Sequence, residues 1–473
     1  MNYSALSVSN ALLPSDVEEF QIAEDLYASV AKLPIVSPHG HVDPQMLATN
    51  RPFSNPAELF IYFDHYVTRL LHAEGFDLNE LGKGSSASKH QDEKVARNAW
   101  QILCNSWHLL SGTASGYWLS REFSSLFGID QIPSQQNAQT LYDLIDSRLK
   151  HPSMLPQALF KSFNIEFLAT TDEPIDDLHW HKQLAADANF GGRVAPTFRP
   201  DRYLDPRATG WADNVAKLIS VSGLTGLTYA NYIAALENRR AYFVANGAVS
   251  ADHGVEEAYT VSLAPSAAEE MFELALSGNL STAGAREFAG HMLLESARMS
   301  SEDGLVMTIH AGVIRNHSSS TFEAFGPDTG HDIPVTAEFT RNLRPLLEEY
   351  GNHPNLHLIL FSLDESTWNR EVAPLAGFYR SVFIGAPWWF LDAPDSALRF
   401  REKVTEIAGF YRGSGFIDDT RAFLSIPVRH DMARRVDCSY LARLVKQDRL
   451  TLEQAQQIAI DLVTLVPKKA FKL

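Results

Sequence analysis

Two histidines and two aspartates, far apart in the chain, have side chains that can bind a divalent metal ion. His39 and His41 are separated by one residue, so both imidazoles would lie on the same face of a strand. Asp418 and Asp419 end an apolar run much later in the sequence. Two histidines with one carboxylate leave coordination positions for water or substrate, which is typical of a catalytic metal site.

Several arginines follow the ends of other apolar runs, where they could bind an anion. The formal net charge of −17 argues against a nucleic-acid partner, so an anionic small molecule would need a local positive pocket. Arginine suits a carboxylate because its guanidinium donates two parallel hydrogen bonds. The candidates are Arg199, Arg202, Arg315, Arg421 and Arg429. His310 ends another run and could be a metal ligand, a substrate contact or a hydrogen-bonded core residue.

Eight short apolar runs would position these groups. They begin at Leu33, Ile165, Arg193, Gly247, Gly304, Leu356, Ser381 and Gly413. Such runs are typical of strands buried in a parallel sheet, and segments with helical periodicity lie between them. Eight alternating strands and helices predict a (β/α)8 TIM-type barrel, an α/β fold whose active site lies at the C-terminal ends of the strands. The run from Gly247 has the weakest strand pattern and could be a loop.

The interval between the first and second runs is too long for one helix and its loops. Its sequence has helical periodicity, which predicts a large helical insertion over residues 45–160 that covers the active-site mouth. The whole chain, residues 1–473, is then one barrel domain. In a closed barrel the eighth strand lies beside the first, which would bring the aspartates close to His39 and His41.

The composition is that of an ordinary globular protein, with 45% hydrophobic and 21% charged residues. The only two cysteines, Cys104 and Cys438, cannot form a disulfide framework and favour a reducing compartment. No signal peptide or membrane-spanning segment is recognisable. We therefore expect a soluble, cytoplasmic protein without a membrane partner; a barrel of this size is compatible with a homo-oligomer.

The chain resembles the uronate isomerase (glucuronate isomerase) family of the amidohydrolase superfamily, from about residue 10 to residue 473. An HxH motif after strand 1 with an aspartate after strand 8 is the superfamily's signature. The matching stretches occur in the family's order: HGHVDP from His39, DHY from Asp64 with Arg69, TTDEPID from Thr170, FRPD from Phe198, IHAGVIRN from Ile309, GPDTG from Gly326, PWWF from Pro387 and DDTRAFLS from Asp418.

The resemblance implies an aldose–ketose isomerase that interconverts D-glucuronate and D-fructuronate, and D-galacturonate and D-tagaturonate, in uronate catabolism. It also implies one divalent metal ion, expected to be Zn²⁺, bound by His39, His41 and Asp419. Asp419 would in addition move protons, and Tyr66 and Arg421 would act on the substrate. Ser37-Pro38 and the SLDEST stretch from Ser362 depart from the family pattern, which leaves the preferred sugar open.

The reaction requires ring opening, removal of a proton from C2 and its return at C1. Asp419 is a suitable base for the ring hydroxyl, and Tyr66 for proton work at C2, because a phenol near a cation ionises more readily. Arg421 would offset negative charge on oxygen. His65 could bond the substrate or only pack within the insertion, and Trp388 could pack on a sugar face or in the core.

Two other functions remain open from the sequence. A hydrolase or deaminase of the same superfamily would use a metal-bound hydroxide. The fourth run contains no lysine to bridge two metals, so such an enzyme would be mononuclear. A sugar-acid-binding barrel without activity would need the arginines but not a base beside the metal.

Overall fold

A computed structural model describes residues 10–84 and 92–473. Residues 1–9 and 85–91 lie outside the described residues. The first segment belongs to the stretch in which no signal peptide was recognised, and the second to the interval predicted as an insertion. No helix in the described ranges is long and apolar enough to span a membrane.

Seven strands in the described ranges pair in parallel with their neighbours. Strands β5 and β8 are buried at every position, as expected of strands covered on both faces. A separate antiparallel pair, β6 and β7, lies beyond the end of β5. The strands are β1 Ile35–Ser37, β2 Ile165–Ala169, β3 Arg193–Ala195, β4 Ser250–Val255, β5 Val306–Ala311, β6 Val313–Ile314, β7 Ile333–Pro334, β8 Leu358–Ser362 and β9 Val382–Ile384.

The parallel strands form a closed ring in chain order. Regular ladders join β1 to β2 to β3, and β4 to β5 to β8 to β9. Phe198 links β3 to β4, because its amide donates to Ser250 O (3.1 Å) and its carbonyl accepts from Asp252 N (2.9 Å). The amide of Ser414 donates to Ile384 O (2.8 Å), and the amide of His41 donates to Thr420 O (3.0 Å). This arrangement confirms the predicted α/β fold and agrees with a (β/α)8 barrel.

Two of the eight predicted strands differ from expectation. The run from Gly413 forms only an isolated bridge to Ile384 and no regular strand. Gly415 (φ 76°) and Asp419 (φ 41°) adopt left-handed backbone conformations that interrupt an extended ladder. The run from Gly247, which had the weakest pattern, contains the six-residue strand β4. Three of its four buried positions (Ser250, Asp252 and His253) carry polar side chains, which obscure the hydrophobic pattern of a strand.

Helices occupy most of the chain between the strands. The α-helices are α1 Val17–Val30, α2 Pro44–Thr49, α3 His65–Ala73, α4 Glu93–Asn105, α5 Ala114–Phe127, α6 Ala138–Leu149, α7 Pro156–Ser162, α8 His179–Ala186, α9 Asp201–Leu204, α10 Trp211–Val221, α11 Tyr229–Ala245, α12 Pro265–Leu276, α13 Thr282–Asp303, α14 Ser319–Phe325, α15 Arg344–Tyr350, α16 Glu365–Thr367, α17 Ala373–Phe378, α18 Pro394–Ala408, α19 Ile426–Lys446, α20 Leu452–Val463 and α21 Leu465–Phe471. Five 3₁₀ turns (Trp107–Leu110, Pro152–Met154, Trp389–Leu391, Phe410–Arg412, Phe423–Ser425) and two π-helical turns (Glu58–Tyr62, Trp368–Val372) complete the regular structure of the described residues.

Between β1 and β2, every regular element of the described residues is helical. Aspartate side chains cap helices α2, α3 and α4 by accepting hydrogen bonds from first-turn amides. Aromatic side chains such as Phe60, Trp100 and Phe123 form the centre of this helical segment. Trp100 is fully buried and donates its indole N–H to Ala138 O (2.8 Å), so its one polar atom is satisfied. The same hydrophobic cluster includes Ile35 of β1, which joins the segment to the barrel.

Arg434 of α19 holds the turn between α1 and β1. Its Nη1 donates to the carbonyls of Val30 and Ala31, and its Nη2 to those of Leu33 and Pro34, at 2.9–3.1 Å. The side chain is 7% exposed. Since a buried carbonyl without a donor is costly, one arginine supplies donors to four carbonyls of this turn, of which that of Val30 also accepts from Leu33 N (3.1 Å).

We expect the Arg434→Met variant to lose about 3 kcal/mol of unfolding free energy, because the apolar stem stays while the carbonyls lose their charged donor. Urea unfolding measures the difference. Arg443→Met is the matched control on α19, since Arg443 pairs with Glu402 and both side chains are about a third exposed; its loss should stay below about 1 kcal/mol. Equal losses in the two variants would contradict this assignment.

Candidate active site

His39, His41 and Asp419 come together where β1 and the Gly413 run end. Asp419 Oδ1 lies 3.3 Å from His39 Nε2 and 3.0 Å from His41 Nε2. The His39 side chain is 1% exposed, and that of Asp419 9%. The hydrogen bond from His41 N to Thr420 O fixes the relative position of the two segments. The three side chains can present one ligand atom each to a common ion.

The donor set fits a divalent cation. Despite the short distances, Asp419 Oδ1 and His39 Nδ1 have no hydrogen-bond partner in the described part of the chain. Burial alone would lower the pKa of His39, but the carboxylates of Asp252 and Asp419 raise it, so the site is electrostatically negative. Burial lowers the pKa of His41 to about 4, which keeps this imidazole neutral as metal binding requires. A cation bound between these atoms would give Asp419 Oδ1 a partner and would balance the negative charge of the site.

The adjacent residues Asp418 and Asp419 have separate roles. Asp418 Oδ2 lies 3.1 Å from His430 Nε2, and the carbonyl of Asp418 accepts a hydrogen bond from Arg429 Nη1 (2.9 Å). Both partners lie on α19, so the first turns of this helix hold Asp418. The side chain of Asp419 therefore contacts His39 and His41, which follow β1, and not α19.

A second group of possible ligands shares His39. His310 stacks on His39 with a ring separation of 4.7 Å, and His310 Nδ1 is 2.7 Å from Asp252 Oδ1. This contact places the proton on Nδ1 and leaves Nε2 of His310 unpaired among the described residues. Asp252 also lies 3.2 Å from Arg199 Nη1, which already supplies a positive charge. The group around Asp419 is therefore the stronger metal candidate.

An open pocket lies beside the metal-binding group. Eight of the residues singled out from the sequence line it, whereas His39, Arg199, Arg202 and His310 are not among its lining residues. Its lining comprises His41, Phe63, Asp64, His65, Tyr66, Arg315, Asp328, Trp388, Trp389, Asp419, Thr420, Arg421, Ala422 and Arg429.

His65 and Tyr66 reach this pocket from the first turn of α3, which Asp64 caps. Trp389 donates its indole N–H to His65 Nε2 (2.6 Å). Because an indole can only donate, His65 carries its proton on Nδ1. Burial, and then the charge of Lys83, lower the pKa of His65 to about 4, so the side chain is a neutral hydrogen-bond donor to the pocket.

Tyr66 differs from the prediction in its electrostatics. Burial raises the pKa of Tyr66 well above its usual value, and Arg429 opposes this effect only in part. The ring packs edge-on against Trp118 (5.6 Å) and Phe390 (6.2 Å), which explains the burial. Without a bound cation Tyr66 is therefore a neutral phenol, and its easier ionisation beside a metal ion stays a prediction.

The pocket arginines all have carboxylate partners. Arg429 is 3% exposed, donates to Asp392 Oδ2 (3.0 Å) and stacks on Trp118. Arg315 pairs with Asp332 (2.9 Å). Arg421 Nη2 lies 3.0 Å from Asp328 Oδ2.

The two remaining arginines lie elsewhere. Arg199 bonds Asp201 (2.8 Å) and lies against Asp252, so internal carboxylates occupy its guanidinium. Arg202 is 67% exposed and pairs with Glu173. The structure thus brings three of the five predicted arginines to the pocket.

Sequence reasoning missed several polar residues of the site. Asp328 and Trp389 lie in the GPDTG and PWWF stretches, but nothing in those motifs indicates that Asp328 would pair with Arg421 or that Trp389 would bond His65. Asp252 falls in the run with the weakest strand pattern. Asp252 and the next residue, His253, are both fully buried. Two consecutive polar residues within an apolar run could have suggested that polar side chains lie in the interior here.

Comparisons with known proteins agree with the geometry. The sequence profile of glucuronate isomerase matches residues 15–471. The uronate isomerase of Cutibacterium acnes is 47% identical over 474 residues, with all of both chains covered. That of Corynebacterium efficiens is 45% identical, again with full coverage. The crystal structure of glucuronate isomerase from Caulobacter crescentus superposes with a TM-score of 0.95 at 42% identity, covering 99% of this chain and 97% of that one. The chain therefore belongs to the glucuronate isomerase family, as the resemblance of its motifs predicted.

Proposed function

We propose that the chain is an aldose–ketose isomerase that interconverts D-glucuronate with D-fructuronate, and D-galacturonate with D-tagaturonate. The observation that carries this proposal is the His39–His41–Asp419 group beside a pocket lined by three arginines. A sugar acid needs both features, a site for its reacting oxygens and a site for its carboxylate. The family membership of the whole chain supports the same reaction.

In this proposal His39, His41 and Asp419 hold one Zn²⁺ ion, because two imidazole nitrogens and a carboxylate oxygen suit that ion with positions left open. Bound there, the ion supplies Lewis acidity to substrate oxygens. Asp419 is ionised, since the two imidazoles outweigh the effect of burial and hold its pKa well below the usual value. Asp419 would accept the proton of the anomeric hydroxyl as the bond from C1 to the ring oxygen breaks, and would return this proton to the ring oxygen.

Proton transfer between C2 and C1 falls to Tyr66 in this mechanism. Tyr66 would first lose its phenolic proton to solvent in the open pocket; the phenolate would then take the proton from C2 and return it to C1 of the enediolate. Arg429 is the cation of the chain that favours this ionisation, with its guanidinium carbon 5.7 Å from the Tyr66 ring. His65 would donate Nδ1–H to a substrate oxygen, and Arg421 would offset negative charge on oxygen.

The substrate carboxylate would bind among Arg315, Arg421 and Arg429. Trp388 lines the pocket, and its indole N–H has no acceptor in the described residues, so it would donate to a sugar hydroxyl. We assign Arg199 a supporting role beside Asp252 and His310. His310 would contact the substrate or the ion through Nε2. Arg202, which is exposed, has no direct role in this proposal.

We further propose that residues 1–473 form one domain in which residues 45–160 cover the barrel mouth. The position of His65 and Tyr66 in the pocket lining supports this arrangement. Both cysteines are free and buried, which agrees with a cytoplasmic location. The acidic net charge supports the absence of a nucleic-acid partner, and a barrel of this size is compatible with a homo-oligomer.

A proton NMR time course in D2O with zinc-loaded protein and either D-glucuronate or D-galacturonate tests the reaction. Appearance of the ketose signals would establish the isomerase, and the faster conversion would identify the preferred sugar. If neither sugar reacts while one metal ion is bound per chain, the uronate assignment fails. Lactones and amides would then test the hydrolase alternative.

Removing a proposed metal ligand should remove the metal as well as the activity. We expect His41→Asn and Asp419→Asn to retain much less than one zinc per chain after dialysis, as measured by elemental analysis, because each loses one of three protein ligands. The control is His108→Asn, since His108 is exposed and outside the pocket lining. Full zinc occupancy in both ligand variants would contradict the assignment.

Tyr66→Phe should lower kcat by about 10²- to 10⁴-fold, the usual effect of losing a general acid or base, with zinc content unchanged. Steady-state kinetics and the rate of deuterium incorporation from D2O measure the effect. Tyr142→Phe makes the same change in the core of the helical segment, outside the pocket, and should retain kcat. A Tyr66→Phe variant with nearly normal kcat would exclude a proton-transfer role for the phenol.

A further inference from the structure

The ion pair between Arg421 and Asp328 stands at the edge of the pocket. Arg421 Nη2 and Asp328 Oδ2 are 3.0 Å apart, and the side chains are 52% and 48% exposed. The other pocket arginines have buried partners, since Asp392 is 2% and Asp332 8% exposed. Among the described residues that line the pocket, Arg421 and Asp328 thus form an ion pair in which both side chains are accessible to solvent or to a solute.

The backbone of Asp328 is held firmly although its side chain is not. Lys83 is buried and donates Nζ–H to the carbonyl of Asp328 (3.3 Å). Two residues later, Gly330 adopts φ 97° against α3, where a Cβ atom would lie 2.7 Å from Arg69 Cβ. The segment therefore packs closely on the helix that carries His65 and Tyr66. Rotation of the Asp328 side chain can open the ion pair without moving this backbone.

The carboxylate of Asp328 is negatively charged in this setting. Burial opposes its ionisation, but Arg421, and more weakly Arg315, hold the pKa of Asp328 below its usual value. A second carboxylate at Arg421 would meet this charge at short range, and like charges repel. Asp328 and the carboxylate of a bound sugar acid therefore compete for the same guanidinium.

We propose that Asp328 is an internal competitor of the substrate carboxylate: it binds Arg421 when the pocket holds no sugar acid, is displaced by the carboxylate of the acid, and so sets how tightly acids bind. The identity of that acid as a uronate rests on the proposed function. An exposed ion pair contributes little free energy, so a carboxylate can replace Asp328 at small cost. A neutral sugar has no charge to offer Arg421, so it leaves the pair closed. Asp328 thereby weakens the binding of acids at Arg421 and leaves the binding of neutral sugars unchanged.

The test uses the zinc-loaded enzyme and two unreactive ligands. L-Gulonate keeps the carboxylate of D-glucuronate but has no aldehyde, and D-glucitol is its neutral counterpart. We expect Asp328→Asn to bind L-gulonate about two- to fivefold more tightly by calorimetry, the range given by an exposed ion pair, and to lower KM for D-glucuronate by a similar factor. Binding of D-glucitol, measured by competition with L-gulonate, should not change.

Asparagine is a suitable replacement because it tolerates the left-handed backbone of Asp328, whose φ is 61°. The matched control is Asp143→Asn, which opens an ion pair with Arg97 outside the pocket lining and should bind L-gulonate like the wild type.

Unchanged or weaker binding of L-gulonate by Asp328→Asn would overturn the proposal, because it would mean that Asp328 does not compete for Arg421. An equal gain for D-glucitol would also overturn it. If the wild type binds L-gulonate and the variant binds it more tightly, but neither uronate is isomerised, the proposed function fails while the competition at Arg421 stands.

Discussion

A main-chain hydrogen bond from the amide of His41 to the carbonyl of Thr420 joins the two ends of the strand ring. The segment from Gly413 forms no regular strand, so this bond and the bridge to Ile384 maintain the ring where the ladder is weakest. The metal-binding group spans the same joint, with the histidines on one side and Asp419 on the other. A cation bound there would hold both sides of the ring as well as serve the chemistry, so fold and site depend on one local geometry.

The three arginines make the pocket locally positive, but carboxylates of the protein neutralise much of this charge. The chain carries a formal charge of −17, and each pocket arginine meets a carboxylate of the protein. Arg429 and Arg315 face buried partners, which position their guanidinium groups. Arg421 faces an accessible partner. Arg315 and Arg429, whose carboxylate partners are buried, are therefore held in place. Arg421, whose partner is accessible, can exchange that partner for another carboxylate.

The sequence predicted the barrel because hydrophobic runs and the positions of polar residues at their ends are local features. It also predicted that His39, His41 and Asp419 lie together, because in a closed barrel the eighth strand is adjacent to the first. The pairing of Arg199 with Asp252 could not be foreseen, because it depends on side-chain contacts between neighbouring strand ends. The high pKa of Tyr66 was missed for a related reason: it results from packing against Trp118 and Phe390, which lie far away in sequence. The strand around Asp252 was underestimated because polar side chains fill its buried positions.

Arg434 contacts the turn before β1 across about 400 residues, with sequence separations of 400 to 404. During synthesis on the ribosome, His39 and His41 emerge long before Asp419 and the helix that holds Asp418. The nascent chain thus exposes two histidines without their carboxylate, and its first strand without the arginine that fixes the preceding turn. Contacts of such long range close late and slow the search for the native state. A metal ion that needs all three of these residues could therefore be bound only after nearly the whole chain has been translated.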